Sequence, residues 1–266
     1  MKHIALRARS VRDPTKPFTT TGLGDRIHGA TVAWAYSNAH ATPVTIHLTK
    51  SKYIGGQFNN KRQSWAEIFD LFPSNINLQY HEYEPVSERD WILYLKNIGI
   101  DAELFWYKDF PGTHESREDL DISKYLKNIP LLTPQPVDLD LPEKFITCQW
   151  DSNDRKRTIS QSDQLKVLDK YKKQGYNIVI VGGEALNDNL RWSLKHIAYA
   201  MSKAEKHVGV DSAFMHMAFL YFPLDKIDLY IDRDGFFSHH MKRAISNGVK
   251  VNRYHWPIVL REGIAL

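Results

Sequence analysis

The chain has 266 residues, of which 42% are hydrophobic, 12% aromatic and 25% charged, with a net charge of +4. That is an ordinary globular mixture, large enough for one big domain or two of usual size. The mild basic excess suits an anionic ligand, while the dispersal of the basic residues argues against a nucleic-acid partner.

The single cysteine, Cys148, excludes an internal disulfide and a Cys-rich metal cluster. No apolar run reaches the length of a membrane span. The N-terminus, Met1 to Arg9, has too short an apolar core for a signal peptide and reads better as a first buried strand. A cytoplasmic location is the default expectation.

Strand-like and helix-like runs alternate from the start. Ile4 to Ala8 reads as a strand and Asp25 to Ser37 as a helix. Pro43 to Leu48 alternates like a strand. Trp65 to Phe72 is amphipathic, with Ser64 as a cap. Leu78 to Tyr83 is a strand, Ser87 to Ile98 a helix, and Leu104 to Tyr107 a strand. From Lys108 to Pro142 the chain is rich in charge and proline, reading as a connection with one short helix near Ile122 to Leu126. Alternation then resumes. Lys144 to Gln149 is a strand and Ser160 to Lys173 a helix. Asn177 to Val181 is an apolar strand of the kind buried in a parallel sheet. Leu190 to Ser202 is a helix, His207 to Val210 a strand, Ser212 to Tyr221 a helix, Ile227 to Ile231 a strand and Phe237 to Ile245 a helix. This rhythm predicts an α/β protein with two facing Rossmann-like domains and parallel sheets. The expected division is 1–130, a Pro-rich linker over 131–142, and 143–266.

Two glycine turns, each at the expected mouth of a helix, carry the chemistry. The first runs Gly22-Leu23-Gly24-Asp25-Arg26-Ile27-His28-Gly29. Glycines such as Gly24 let a backbone approach a ligand, and a helix N-terminus offers amides to anions. Asp25 is either an N-cap or the general base that takes a proton from an attacking hydroxyl. His28 orients Asp25, touches a ligand, or packs in the core. The spacing matches neither a dinucleotide fingerprint nor a phosphate-binding P-loop.

The second turn runs Gly209-Val210-Asp211-Ser212-Ala213-Phe214-Met215-His216. Amides of Ser212, Ala213 and Phe214 at a helix start would cradle a diphosphate. Asp211 is then a cap or a sugar contact, and His216 a ligand contact or a buried core histidine. Gly182-Gly183-Glu184 follows a strand; Gly183 is a candidate for contact with the nucleotide, and an ordinary turn is the alternative. Asp232-Arg233-Asp234 has the form of a metal-binding Asp-x-Asp, but the same pattern recurs at Asp119–Asp121 and Asp138–Asp140, so no metal site is assigned.

The first turn resembles the Gly-Asp-Val-Ile-His-Thr segment of the lipopolysaccharide heptosyltransferase family. The second is similar to that family's Val-Asp-Thr-Gly-Leu-Ser-His-Leu-Ala. The resemblance implies a two-domain GT-B glycosyltransferase performing an inverting, metal-independent transfer from a nucleotide-diphosphate sugar. It implies that Asp25 is the catalytic aspartate and that Asp211, Ser212 and His216 belong to the donor-binding turn. The family's basic residue after the first strand of its second domain falls in Asp154-Arg155-Lys156-Arg157, where Arg157 is best spaced. Ala213 stands where the family has glycine, and the chain is short for two full domains of this kind.

The expected partners are therefore a nucleotide-diphosphate sugar, as co-substrate rather than cofactor, and a glycan acceptor, with a peripheral membrane contact also in view. No resident cofactor is expected. Two other readings remain open: a sugar-nucleotide epimerase on the same fold, and a non-catalytic carbohydrate- or nucleotide-binding module.

Overall fold

A computed structural model describes residues 1–6, 23–49, 65–73, 76–83, 88–105, 131–150, 152, 157–182, 192–232 and 249–254. The chain divides into two compact units, Met1–Pro130 and Leu131–Leu266.

The first unit holds strands β1 (Lys2–Leu6), β2 (Val44–Thr49), β3 (Ile76–His81) and β4 (Glu103–Phe105), with helices α1 (Leu23–His40), α2 (Trp65–Phe69) and α3 (Glu88–Asn97). The sheet order is β3-β2-β1-β4, and every pairing is parallel. The segment read from sequence as a glycine turn is helical from Leu23 onward, so Gly24 and Gly29 lie inside α1. Glycine costs a helix about 1 kcal/mol per residue. The apolar row Leu23, Ile27, Ala30 and Trp34 is buried at helical spacing and outweighs that cost. Asp25 thus occupies the first turn of α1 rather than its cap.

Both faces of β2 are buried. Val44, Ile46 and Leu48 fill one, and Thr45 and His47 the other. Burial of His47 needs partners, and the neighbouring strands supply them. His3 Nδ1 lies 2.9 Å from His47 Nε2, and His47 Nδ1 lies 2.9 Å from His81 Nε2. His3 is opposite Thr45 and His47 is opposite Gln79, so the three rings climb diagonally across β1, β2 and β3. His81 ends the row edge-on against Trp91 and Tyr94 of α3. A neutral imidazole has one donor and one acceptor, so the bonds must run in a single direction through all three rings. Burial, reinforced by repulsion from His81 and His3, lowers the His47 pKa to about 4.

The second unit holds β5 (Phe145–Gln149), β6 (Asn177–Ile180), β7 (His207–Val210), β8 (Ile227–Asp232) and β9 (Lys250–Tyr254). Its helices are α4 (Gln161–Lys173), α5 (Leu194–Lys203) and α6 (Ala213–Tyr221). The order is β6-β5-β7-β8-β9, again wholly parallel. Ser160 caps α4, accepting from the Asp163 amide and donating to its carboxylate at 2.6 Å. A core of Ile146, Cys148, Val208, Val210 and Tyr230 packs under Val167 and Tyr171 of α4. Within it, Tyr171 donates to the buried Asp228 carboxylate, which Lys206 also meets at 3.0 Å. On the other face His207 is fully buried beside Thr147, 3.0 Å from Nδ1 to Oγ1, and burial lowers its pKa to about 3.

Some expectations shift. The apolar strand Asn177 to Val181, read as buried, is strand β6, which among the described residues pairs with β5 alone, at the edge of the sheet, and leaves Ile180 exposed. Strand β9 was not anticipated, because Lys-Val-Asn-Arg-Tyr carries a weak apolar pattern. Residues 131–142, expected as a linker, form no helix or strand; Leu132 is buried, and its N–H donates to the Leu220 carbonyl at 2.7 Å. The helices expected near 122–126 and 237–245 lie outside the described residues. No described helix is long and apolar enough to cross a membrane.

The buried imidazoles set an acid limit. His47 binds its proton near pH 6.5 when unfolded and near pH 4 when folded. The unfolded chain therefore holds more protons between those values, and stability falls as the pH is lowered through that window. His207 acts in the same direction and extends the loss further down. The urea midpoint is expected to decline steadily from about pH 6.5 to about pH 4. A flat profile across this range would contradict neutral, buried rings.

Candidate functional site

In the second sheet the chain leaves β5 for β6 on one side and reaches β7 on the other. Such a reversal opens a crevice at the C-terminal ends of the central strands, where ligands of open parallel sheets sit. Here those ends are Gln149 and Val210.

The two strands approach closely. Gln149 is opposite Gly209, and a Cβ on Gly209 would stand 2.6 Å from the Gln149 carbonyl oxygen. Gly209, expected in the phosphate turn, is thus required by strand contact. The chain then turns through Asp211, which is fully buried, and Ser212, the N-cap of α6. Ser212 Oγ accepts from the Met215 N–H at 3.4 Å and donates to Gln149 Oε1 at 2.6 Å. Ser152 Oγ donates to the Asp211 carbonyl at 3.1 Å. Gln149 at the end of β5 and Ser152 just beyond it therefore pin the turn that follows β7.

Arg157 is held near the same place. Thr158 Oγ1 donates to the Trp150 carbonyl at 3.2 Å, returning this segment to the end of β5. His216, one turn into α6, is buried and senses both charged residues. Burial lowers its pKa to about 4; Asp211 opposes that shift and Arg157 adds to it. Asp211 and Arg157 are thereby each within electrostatic reach of His216, whose imidazole is neutral.

At the head of α6, the amides of Ala213 and Phe214 have no intrahelical acceptor, whereas Met215 is capped by Ser212. The expected trio of ligand-facing amides is accordingly a pair from the first two helical residues. The Phe214 ring lies against the turn after β6, where Gly182 has φ +72° and an added Cβ would run into that ring. Gly183 lies outside the described residues.

In the first unit, β1 lies between β2 and β4, so it marks the switch point of its own sheet, and α1 is the helix that follows it. Asp25 and His28 lie on α1, two and five residues after its first residue, with side chains outside those described. Gly24 is half-buried in the first turn. Among the described residues no group of three His, Cys, Asp or Glu is placed to hold a metal ion. Gln149 and Ser152 were missed from sequence. The signal for Gln149 was a glutamine closing a short, mostly apolar strand, Phe-Ile-Thr-Cys-Gln, all of which is buried.

No family model matches this sequence, and no curated protein does. Solved structures match by shape. Over 96% of this chain and 90% of its own length, ADP-heptose lipopolysaccharide heptosyltransferase II of E. coli aligns with a TM-score of 0.52 at 12% identity. A glycosyl transferase family 9 protein from Veillonella parvula DSM 2008 aligns over 98% of this chain and 88% of its own, with TM-score 0.49 and 12% identity. The iron-containing dodecameric glycosyltransferase TibC of enterotoxigenic E. coli H10407 aligns at TM-score 0.47 and 12% identity over 86% of this chain. This chain spans 57% of TibC's length. The fold of this chain thus resembles that of heptosyltransferase II.

Gly209→Ala should force β5 and β7 apart and cost about 1–3 kcal/mol, the range of core overpacking. Urea unfolding measures this directly. Wild-type stability in that variant would mean the two strands have slack.

Proposed function

We propose that this chain is a glycosyltransferase of GT-B type, moving a sugar from a nucleotide-diphosphate sugar to an acceptor hydroxyl. The observation that supports it best is the anchored Asp211–Ser212 turn at a switch point, with Arg157 beside it. The heptosyltransferase II alignment over 96% of the chain supports the same fold.

In this reading residues 143–266 hold the donor and residues 1–130 face the acceptor, with 131–142 joining them. Asp25 takes the proton from the acceptor hydroxyl, and His28 keeps Asp25 oriented. The acceptor oxygen attacks the anomeric carbon from the side opposite the diphosphate. The bond from that carbon to the phosphate oxygen breaks, and its electron pair leaves with the diphosphate. Arg157 and the amides of Ala213 and Phe214 stabilise that departing charge, which removes the need for a metal. A single displacement inverts the anomeric centre. Gly24 and Gly183 allow close backbone approach, Gly209 lets β5 and β7 meet beneath the turn, and buried Asp211 and neutral His216 support the donor-binding turn from within. The reaction would take place in the cytoplasm on a carbohydrate or glycan acceptor, with a peripheral membrane contact.

Thermal shift against ADP, GDP, UDP and CDP, with and without magnesium, tests the donor half. A ligand that binds only the folded state raises Tm by mass action. One nucleotide should do so independently of magnesium, and Arg157→Ala should abolish the shift. Asp25→Asn should keep the shift yet lose transfer by about 10²–10⁴-fold, the usual weight of a general base. No shift with any nucleotide, or a shift only with magnesium, counts against this reading.

A further inference from the structure

We infer that Gln149 is a positioning residue for diphosphate recognition and that Ser212 serves as its latch rather than as a phosphate ligand. The inference rests on the donor-site reading above. Ser212 looks at first like a natural hydroxyl donor to a phosphate oxygen. Its single hydroxyl proton is committed, however, because Oγ donates to Gln149 Oε1 at 2.6 Å while its lone pair accepts the Met215 N–H. A serine hydroxyl has one proton to give. Gln149 is 2% exposed, so water does not compete freely for that acceptor.

The consequence is a division of labour. The anion is gripped by the amides of Ala213 and Phe214, and their direction is set by where Ser212 begins the helix. Ser212 is fixed by Gln149, and Gln149 by the backbone contact that allows no side chain on Gly209. Ser152 holds the adjoining Asp211 carbonyl, so the turn is tied at two points. Gln149 would act on the diphosphate without touching it.

The experiment compares affinities at a temperature well below Tm. The probes are whichever of ADP, GDP, UDP or CDP binds best, and its parent nucleoside. Gln149→Met keeps the volume and removes the acceptor. It should weaken diphosphate binding about three- to tenfold, as expected for one neutral hydrogen bond, and leave nucleoside binding unchanged. Ser212→Ala should do the same. Because Gln149 acts through Ser212, the double variant should be no weaker than Ser212→Ala alone. Ser212→Thr retains the hydroxyl and should retain affinity, which keeps the test available if Gln149→Met does not fold. Additive losses in the double variant, or equal losses for nucleoside and diphosphate, would overturn the positioning role while leaving the donor-site reading intact. If the wild-type chain binds none of the nucleotides, the donor-site reading falls, and this inference with it.

Discussion

The contact between the Gln149 carbonyl and Gly209 governs the second unit. Because β5 and β7 lie so near, the register Gln149 opposite Gly209 is the one that avoids collision. That register fixes the height at which β7 ends. It places Asp211 under Ser152 and Ser212 beside the Gln149 side chain. The direction of α6 follows, since its cap is already held. Burial of Met215, Met217 and Ala218 then locks the helix onto the sheet. A backbone constraint with no ligand in it thus sets the geometry in which an anion would meet the helix.

The two units solve one problem by similar means. Each places histidine inside a parallel sheet, where burial holds His47, His81 and His207 below the ordinary imidazole pKa. In the first unit the histidines serve one another as donor and acceptor across three strands. In the second, His207 uses Thr147 of the adjacent strand. Buried polar groups persist where a partner lies within hydrogen-bond range, and are costly otherwise. Here the partners come from adjacent strands, so the arrangement exists only when the sheet is paired in register.

Much of the architecture was legible in the sequence because parallel sheets leave a strong mark. Runs such as Phe145 to Gln149 and His207 to Val210 are short, apolar and separated by amphipathic helices. Ser160 and Ser212, the residues at which α4 and α6 were expected to begin, are their N-caps. Strand position was not legible. Asn177 to Ile180 is as apolar as a central strand yet lies at an edge, since hydrophobicity reports burial on a face and not the number of neighbours. The start of α1 was legible to within two residues, Asp25 expected against Leu23 found, and the buried row that begins at Leu23 is what draws Gly24 into the first turn. Of the candidate site, the Asp211–Ser212 turn could be read from its own residues. Gln149 could not, since its importance comes from a partner 63 positions away.

Cys148 stands in the middle of β5 with β6 on one flank and β7 on the other, and burial raises its thiol well above the ordinary range. It is the chain's sole cysteine and has no exposed surface. In the native protein it is therefore inert toward thiol reagents, which attack the thiolate. It becomes reactive only when the core beneath α4 opens. The sequence thus carries its own chemical clock: the rate at which this sulfur is modified in native buffer reads how often the core of the second unit comes apart.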